Sequence, residues 1–187
     1  MRTFVAIELS DDCRRRLGRA VEVLRRRAGG VKWVSAEAAH ITLKFIGELP
    51  EDRVPDAIAA LKAAARSAAP FSFRLEGISG FPPSGRPRII HSPAHEPTGA
   101  MAALAVAVEK SLCEAVGVAP EERGFKAHVT IGRVKNPREC PRVQELAALV
   151  TDADFGEVTV RDIVLMKSEL TPRGPIYTPV ERIPLGA

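Results

Sequence analysis

The residues best suited to chemistry in this sequence are two histidines, each followed two positions later by a threonine. The motifs are His40-Ile-Thr42-Leu and His128-Val-Thr130-Ile, one in each half of the 187-residue chain. A single motif of this length has little specificity. The sequence contains only four histidines, however, and two of them fall in the same short pattern. The pair therefore predicts a functional site to which both halves of the chain contribute.

These side chains suit the cleavage of a phosphodiester by general acid–base catalysis. A neutral imidazole can accept a proton from an attacking water, and an imidazolium can donate one to the departing oxygen. Because the unperturbed pKa of histidine is about 6.5, both forms exist near neutral pH. Each threonine hydroxyl can donate a hydrogen bond to a non-bridging phosphate oxygen. Two such acid–base groups suffice for a strained cyclic phosphate, which needs less assistance than an unstrained diester.

Both motifs lie in segments that read as β-strands. Successive side chains of a strand point to opposite faces, so His40 and Thr42 are predicted to share one face. Ile41, Leu43 and Phe45 then occupy the other face, and we expect Phe45 to pack in the core. The same alternation applies to the second motif, so each strand buries an aliphatic face and presents an imidazole beside a hydroxyl.

Several cationic residues lie near the motifs. Lys44 and Lys126 have the same parity as the motif histidines, and each is expected at a solvated strand end. Arg133 could bind a phosphate bidentately, which lysine cannot imitate. Strict alternation places Arg133 on the aliphatic face, but Gly132 could mark a bulge that turns it towards the histidines. Arg133 is therefore a candidate phosphate-binding residue whose orientation depends on that bulge.

Segments with helical periodicity alternate with segments rich in strand formers along the whole chain. The first strand is predicted over residues 3–9. Near the other end, residues 157–167 read as one strand and residues 177–183 as the last, separated by a turn over residues 171–175. With one H-x-T motif in each half, this order favours a duplicated α/β lobe with a pseudo-twofold relation, folded as one domain over residues 1–187.

The composition is that of an ordinary globular protein with a mildly basic character. Hydrophobic residues make up 45% and charged residues 27% of the chain, with a formal charge of +4. That charge suits a polyanionic ligand but is also common in proteins without one. The three cysteines are far apart and form no zinc motif, which indicates free thiols in a reducing compartment. Without a signal-peptide pattern or an apolar run of about 18 residues, a cytoplasmic location away from membranes is expected.

The other two histidines, His91 and His95, are four residues apart, a spacing that on a helix could place two ligands on one metal ion. Pro93 lies between them, and no third ligand is evident although Glu96 follows. We therefore expect no metal site here.

The two motifs and their neighbours resemble a known family. Residues 39–48 and 125–133 are similar to the two signature blocks of the two-histidine (HxTx) phosphoesterases. Within that superfamily the chain resembles the bacterial RNA 2′,3′-cyclic phosphodiesterases, formerly called 2′-5′ RNA ligases, over nearly its whole length. The segments at residues 2–8 and 32–34 look like that subgroup as well. Ala127 stands where the family often has proline, a departure that removes no chemical group.

The resemblance implies an α/β (α+β) fold with two pseudo-symmetric lobes, whose antiparallel sheets line a central cleft with helices on the outside and one motif in each lobe. It implies hydrolysis of RNA 2′,3′-cyclic phosphate ends to 2′-phosphomonoesters, without a metal or other cofactor. His40 and His128 carry over as catalytic residues, and Thr42, Thr130 and Arg133 as substrate-binding residues. The expected partner is RNA with a cyclic phosphate end, tRNA fragments included, and the expected state is a monomer.

Two other functions fit the same residues. The same histidines could also join RNA ends through a 2′-5′ bond without ATP, although water at its bulk concentration favours hydrolysis. A non-catalytic RNA-binding module is the other alternative, but phosphate binding alone would favour arginine and lysine over two placed histidines. The loop over residues 81–87, with Arg86 and the nearby Arg88, fits either a guide for RNA or a plain turn.

Overall fold

Strands and helices alternate along the chain in the computed structural model, which describes residues 1–172 and 174–186. The ten strands in this part of the chain are β1 (Arg2–Glu8), β2 (Val31–Trp33), β3 (His40–Glu48), β4 (Phe71–Glu76), β5 (Ser79–Phe81), β6 (Ile89–His95), β7 (His128–Val134), β8 (Asp154–Val160), β9 (Asp162–Thr171) and β10 (Gly174–Pro184). The four α-helices of the same residues are α1 (Asp11–Arg25), α2 (Val54–Arg66), α3 (Ala100–Val116) and α4 (Val143–Leu149).

The strands form one antiparallel sheet that curls into a half-barrel. Its order is β10-β9-β1-β3-β7-β6-β4-β8, with β2 paired to β7 and β5 paired to β6. We call β10-β9-β1-β3 the β3 half of the sheet, and β7-β6-β4-β8 with β2 and β5 the β7 half. The two H-x-T strands are therefore neighbours at the centre. The prediction of a mixed α/β fold built on antiparallel strands is confirmed.

The helices pack on one face of the sheet and cross over between its halves. Helices α2 and α3 pack on each other and on strands of the β3 half, whereas α1 packs on β8 and α4 on β5. Helix α1 follows β1 but covers the β7 half, and α3 follows β6 but covers the β3 half. The halves of the sheet are thus not the halves of the sequence. None of the helices in the described residues is long and apolar enough to cross a membrane.

Helix α1 shows how local sequence sets one of these elements. The Ser10 hydroxyl accepts a hydrogen bond from the backbone N–H of Cys13 and caps the helix. Leu17, Val21 and Leu24 recur at helical spacing and are buried in the core between helix and sheet. Cys13 joins them as a free thiol, as predicted, and burial raises its pKa to about 11.

The prediction of a single strand over residues 157–167 is wrong, because this region contains parts of two strands. Strand β8 ends at Val160 and β9 begins at Asp162. Although consecutive, β8 pairs with β4 in the β7 half and β9 pairs with β1 in the β3 half. Both segments are rich in strand formers, so their composition does not reveal the break. The turn predicted over residues 171–175 includes Arg173, which lies outside the described residues.

A one-residue bulge follows the threonine of the first motif. Thr42 and Lys44 pair with consecutive residues of β1, so Leu43 is the extra residue. Leu43 and Lys44 therefore both face the helices, and Phe45 returns to the face that carries His40. The alternation predicted from the sequence is wrong at Lys44 and Phe45. Lys44 is only 2% exposed, and Phe45, expected in the core, is 52% exposed.

Lys44 ties the first H-x-T strand to the segment that leads into the second. Its ammonium group donates hydrogen bonds to the Glu109 carboxylate (2.8 Å) and to the carbonyl of Ala119 (2.7 Å). The carboxylate of Glu121 lies 3.4 Å away. The hydrogen bond from Lys44, together with one from the backbone N–H of Glu121, lowers the pKa of the Glu109 carboxyl. A buried ammonium is tolerated because it is paired in this way.

Replacing Lys44 by methionine tests this anchor. We expect Lys44→Met to lower the free energy of unfolding by about 2 kcal/mol, because the Ala119 carbonyl and two carboxylates lose their donor. The control is Lys62→Met, which removes a half-exposed lysine 2.9 Å from Glu181 and should cost less than about 1 kcal/mol. Urea unfolding of both variants measures the difference. Equally small losses would show that Lys44 is no anchor.

Candidate active site

His40 begins β3, and the preceding turn orients its ring. Ser35 caps a short 3-10 turn over Ala36–Ala38, and Nδ1 of His40 lies 2.8 Å from the carbonyl oxygen of Ala38. A carbonyl can only accept, so Nδ1 of the neutral ring carries the proton and Nε2 keeps its lone pair. The Thr42 hydroxyl lies 3.0 Å from Nε2 and donates to it. Nε2, the ring nitrogen that can accept a proton, thus faces the motif threonine.

His128 has the same orientation at the start of β7. Its Nδ1 lies 2.6 Å from the carbonyl oxygen of Lys126, again two residues earlier in the chain. The same reasoning gives the same tautomer, with the lone pair on Nε2. Thr130 follows on the same face, as the strand periodicity predicted. The structure therefore brings all four motif residues to the face of the sheet that the helices leave uncovered.

Burial is the main influence on the acidity of both imidazoles. It lowers the pKa of His40 and the pKa of His128 below the usual value, because an imidazolium is less well solvated there. The carbonyls of Ala38 and Lys126 oppose this shift, and the positive charge of Arg133 adds to it at both rings. An anionic phosphate between the rings would raise both pKa values, so that one ring could carry a proton at neutral pH.

A second bulge turns Arg133 towards the histidines. Thr130 and Gly132 pair with consecutive residues of β6, so Ile131 is the extra residue. Ile131 and Gly132 are both buried on the helix side, and Arg133 is exposed on the histidine side. The bulge proposed near Gly132 is therefore present, one residue earlier. Lys32 of β2 is the register partner of Arg133 and adds a second exposed cation to this face.

Aromatic rings support His40. Phe4 stacks on its ring with centroids 4.8 Å apart, and Tyr177 makes an edge-to-face contact with centroids 5.2 Å apart. Phe4 is 3% exposed, so it acts as buried backing for the imidazole. Neither Phe4 nor Tyr177 was predicted from the sequence. Tyr177 reaches the site from β10, near the other end of the chain.

His91 supports His128 in a similar way, and sequence reasoning missed it too. Its ring stacks on Phe81 at 4.2 Å and lies 5.1 Å from the ring of His128. It is the register partner of Thr130, which places it on the same face. The ring is 5% exposed, and neither nitrogen has a hydrogen-bond partner among the described residues. Burial and the neighbouring His128 lower the pKa of His91 to about 4.

The remaining polar candidates either hold the fold in place or form no site of their own. His91 and His95 lie on strand β6, where four residues span about 13 Å, so they cannot share a metal ion as they would on a helix. In the part of the chain that the structure describes, no three His, Cys, Asp or Glu residues group as a metal site. Arg86 donates to the carbonyls of Pro137 and Cys140 and thereby holds a loop in place.

The charge of Arg133 should be measurable through the histidines. In Arg133→Met the pKa values of His40 and His128 should both rise, because a cation that disfavours each imidazolium is removed. NMR titration of the imidazole protons measures these values in the free protein. The control is Arg138→Met, which removes an exposed arginine from the loop after β7. Unchanged titration of both histidines in Arg133→Met would place the guanidinium away from the site.

His91 should make the protein sensitive to acid. Because its pKa is near 4 in the folded protein and near 6.5 in the unfolded chain, its contribution falls as pH drops from 6.5 towards 4. His91→Phe keeps a ring against Phe81 but cannot titrate. Between pH 7 and pH 4.5, the free energy of unfolding should fall by about 2 kcal/mol less in His91→Phe than in the wild type.

Urea unfolding at the two pH values measures this effect. His95→Phe is the matched control, because it removes an exposed imidazole from the same strand, and it should follow the wild-type pH dependence. The expectation for His91 is wrong if His91→Phe loses as much stability at low pH as the wild type does.

Comparison with protein families finds one model, described as LigT like Phosphoesterase, that matches the chain twice. The matches cover residues 7–91 and residues 94–177. Each contains one H-x-T motif, in agreement with the repeat seen in the sequence.

Individual relatives match along almost the entire chain. A protein of Archaeoglobus fulgidus named RNA 2′,3′-cyclic phosphodiesterase is 37% identical over 179 residues, which cover 95% of this chain and 96% of the relative. A Thermus thermophilus protein of the same name is 37% identical over 190 residues, covering 99% of this chain and 90% of the relative.

Solved structures show the same fold. A crystal structure of a Thermus thermophilus protein superposes with a TM-score of 0.83 at 33% identity, covering all of this chain and 98% of that one. Escherichia coli LigT in complex with 3′-AMP superposes with a TM-score of 0.76 at 20% identity and the same coverage.

Proposed function

The chain belongs to the LigT-like phosphoesterase family, and on that premise we propose that it hydrolyses RNA 2′,3′-cyclic phosphate ends to 2′-phosphomonoesters. Family membership confirms the resemblance carried by the two signature blocks. The activity is supported by relatives named RNA 2′,3′-cyclic phosphodiesterase that cover most of the chain. A purely RNA-binding role fits a phosphoesterase family poorly.

One observation carries the proposal: two imidazoles on neighbouring strands hold the same tautomer on the same face of the sheet. Each backbone carbonyl that fixes Nδ1 leaves Nε2 for proton transfer. Two histidines with only structural roles would not need to share this ring orientation on neighbouring strands. The threonines add two hydroxyl groups and Arg133 adds a charge that acts on both rings.

The reaction follows from these groups. One histidine, neutral at Nε2, takes a proton from a water that attacks phosphorus opposite the 3′ oxygen. The P–O3′ bond breaks, and the other histidine, protonated at Nε2, gives its proton to O3′. The phosphate stays on O2′. When the substrate binds, the Thr42 hydroxyl turns its proton from Nε2 of His40 to a non-bridging oxygen, and Thr130 and Arg133 stabilise the same negative charge. Acid, base and charge-stabilising roles are all filled by side chains, so we propose a metal-independent reaction.

The site is complete within one chain, since both histidines come from neighbouring strands of the same sheet. We therefore propose that residues 1–187 act as a single catalytic domain and as a monomer. The substrate class is RNA with a cyclic phosphate end, such as a tRNA fragment. Joining RNA through a 2′-5′ bond would open the same ring with a 5′ hydroxyl in place of water, and the RNA assay detects it as a longer product.

Incubation with a short RNA that ends in a 2′,3′-cyclic phosphate tests the proposal. The EDTA-treated protein should convert this end to a 2′-phosphate, which phosphatase then removes. His40→Ala and His128→Ala should each slow the reaction about a hundred- to ten-thousandfold, because each removes one proton-transfer group.

The control is His95→Ala, which removes an exposed histidine and should keep the wild-type rate. Wild-type rates in both motif variants would contradict the acid–base pair, and loss of activity in EDTA would contradict the metal-independent reaction.

A further inference from the structure

Lys126 is an exposed lysine whose side chain lies beside the second motif. Its ammonium group is 5.6 Å from the centroid of the Phe81 ring, within the range of a cation–π contact. Phe81 in turn makes an edge-to-face contact with His128, with ring centroids 5.1 Å apart. Phe81 therefore holds a positive charge close to one of the two imidazoles.

The backbone of Lys126 and its side chain have separate tasks. The Lys126 carbonyl accepts the hydrogen bond from Nδ1 of His128, as the carbonyl of Ala38 does for His40. Because alanine suffices in the first motif, orienting the imidazole requires no lysine side chain. The ammonium group of Lys126 is thus available for another contact.

No carboxylate neutralises the charge of Lys126. Ion pairs are formed by Lys44, Lys62 and Lys167, but Lys126 has no acidic partner within residues 1–172 and 174–186. A cation–π contact with Phe81 leaves the net charge in place. The ammonium group can therefore still attract an anion to the histidine face.

The cations of this face lie at opposite ends of the second motif. Lys32 and Arg133 are register partners beyond Thr130, whereas Lys126 precedes His128 by two residues. The proposed function assigns Arg133 and the motif threonines to the cyclic phosphate. A cyclic phosphodiester has only two non-bridging oxygens and one negative charge, which these groups already serve. The position of Lys126 therefore suits a second phosphate group.

We propose that Lys126 binds the phosphate that links the terminal nucleotide to the rest of the RNA, so that the chain leaves the site past His128 and Phe81. This assignment rests on the proposed function, which places the cyclic phosphate between the two histidines. The two residues from Lys126 to His128 span at most about 7 Å, and consecutive phosphates of an RNA strand are separated by a distance of the same order. Lys126 thus makes the protein favour RNA ends over free cyclic nucleotides, which lack the second phosphate.

An uncharged linkage tests the assignment. The substrates are two dinucleotides that end in a 2′,3′-cyclic phosphate, one with a phosphodiester and one with a methylphosphonate between its nucleosides. The two linkages have nearly the same shape, but the methylphosphonate carries no charge. At low ionic strength the wild type should have about a fivefold higher kcat/KM for the phosphodiester substrate, as expected for one exposed ion pair, and added salt should reduce this preference.

Lys126→Ala should abolish the preference, because the charge that recognises the linkage is lost. Lys126→Arg keeps a cation at this position and should retain it. Any indirect effect of either substitution on His128 changes the rates of both substrates equally, and it cancels in their ratio.

Two further lysine variants are matched controls. Lys110→Ala removes an exposed lysine from α3, on the other side of the sheet, and should keep the wild-type preference. Lys32→Ala removes a cation from the Arg133 end of the motif. It should also keep the preference, even where it lowers the rates of both substrates.

The assignment is overturned by a wild type without any preference, or by Lys126→Ala with the full wild-type preference. Loss of the preference in Lys32→Ala and not in Lys126→Ala would overturn it as well, because the RNA chain would then leave past His40.

If the wild type hydrolyses neither dinucleotide, the proposed function fails and calorimetry still tests the contact. The probes are then the same dinucleotides ending in a 2′-phosphate. The phosphodiester form should bind the wild type about fivefold more tightly than the methylphosphonate form, and both forms should bind Lys126→Ala equally. Equal binding of the two forms to the wild type would overturn the assignment.

Discussion

The candidate site depends on the pairing of β3 with β7 at the centre of the sheet. Ile41 and Val129 are register partners there, and both are fully buried in the core beneath the sheet. Since strand side chains alternate, burial of this pair forces the flanking histidines and threonines to the opposite face. The hydrophobic contact that joins the halves of the sheet therefore also brings the two imidazoles together. Fold and site share the same constraint.

The bulges that follow Thr42 and Thr130 change which later residues of each strand lie beside the histidines. Without them, alternation would bury Arg133 and Phe45 and would expose Lys44 and Gly132. With them, one strand adds a cation beside the histidines and the other adds an aromatic ring. Lys44 in turn holds α3 and the segment before β7 close to β3. A local irregularity in pairing thus decides which charged and aromatic side chains lie on the histidine face.

Each motif imidazole is oriented by a backbone carbonyl and supported by rings from other strands. Phe4 and Tyr177 contact His40, and Phe81 and His91 contact His128. These rings come from strands at distant points in the chain, because helices and strands cross between the halves of the sheet. The same packing removes water from the imidazoles, which explains why burial dominates their pKa values.

The motifs, their repetition and the strand faces that carry them could all be read from the sequence. These faces hold His40 and Thr42 in β3, and His128 and Thr130 in β7. These features depend on local periodicity, which a strand keeps wherever it is placed. The positions of Lys44 and Phe45 follow from strand pairing, and alternation predicted the reverse of what is found. A bulge depends on the pairing of one strand with its neighbour, and no local pattern in β3 records the register of β1. For β7, Gly132 provided a local hint, and the bulge lies one residue away. His91 and Tyr177 reach the site through pairings between distant segments, so their roles follow from the register of the whole sheet.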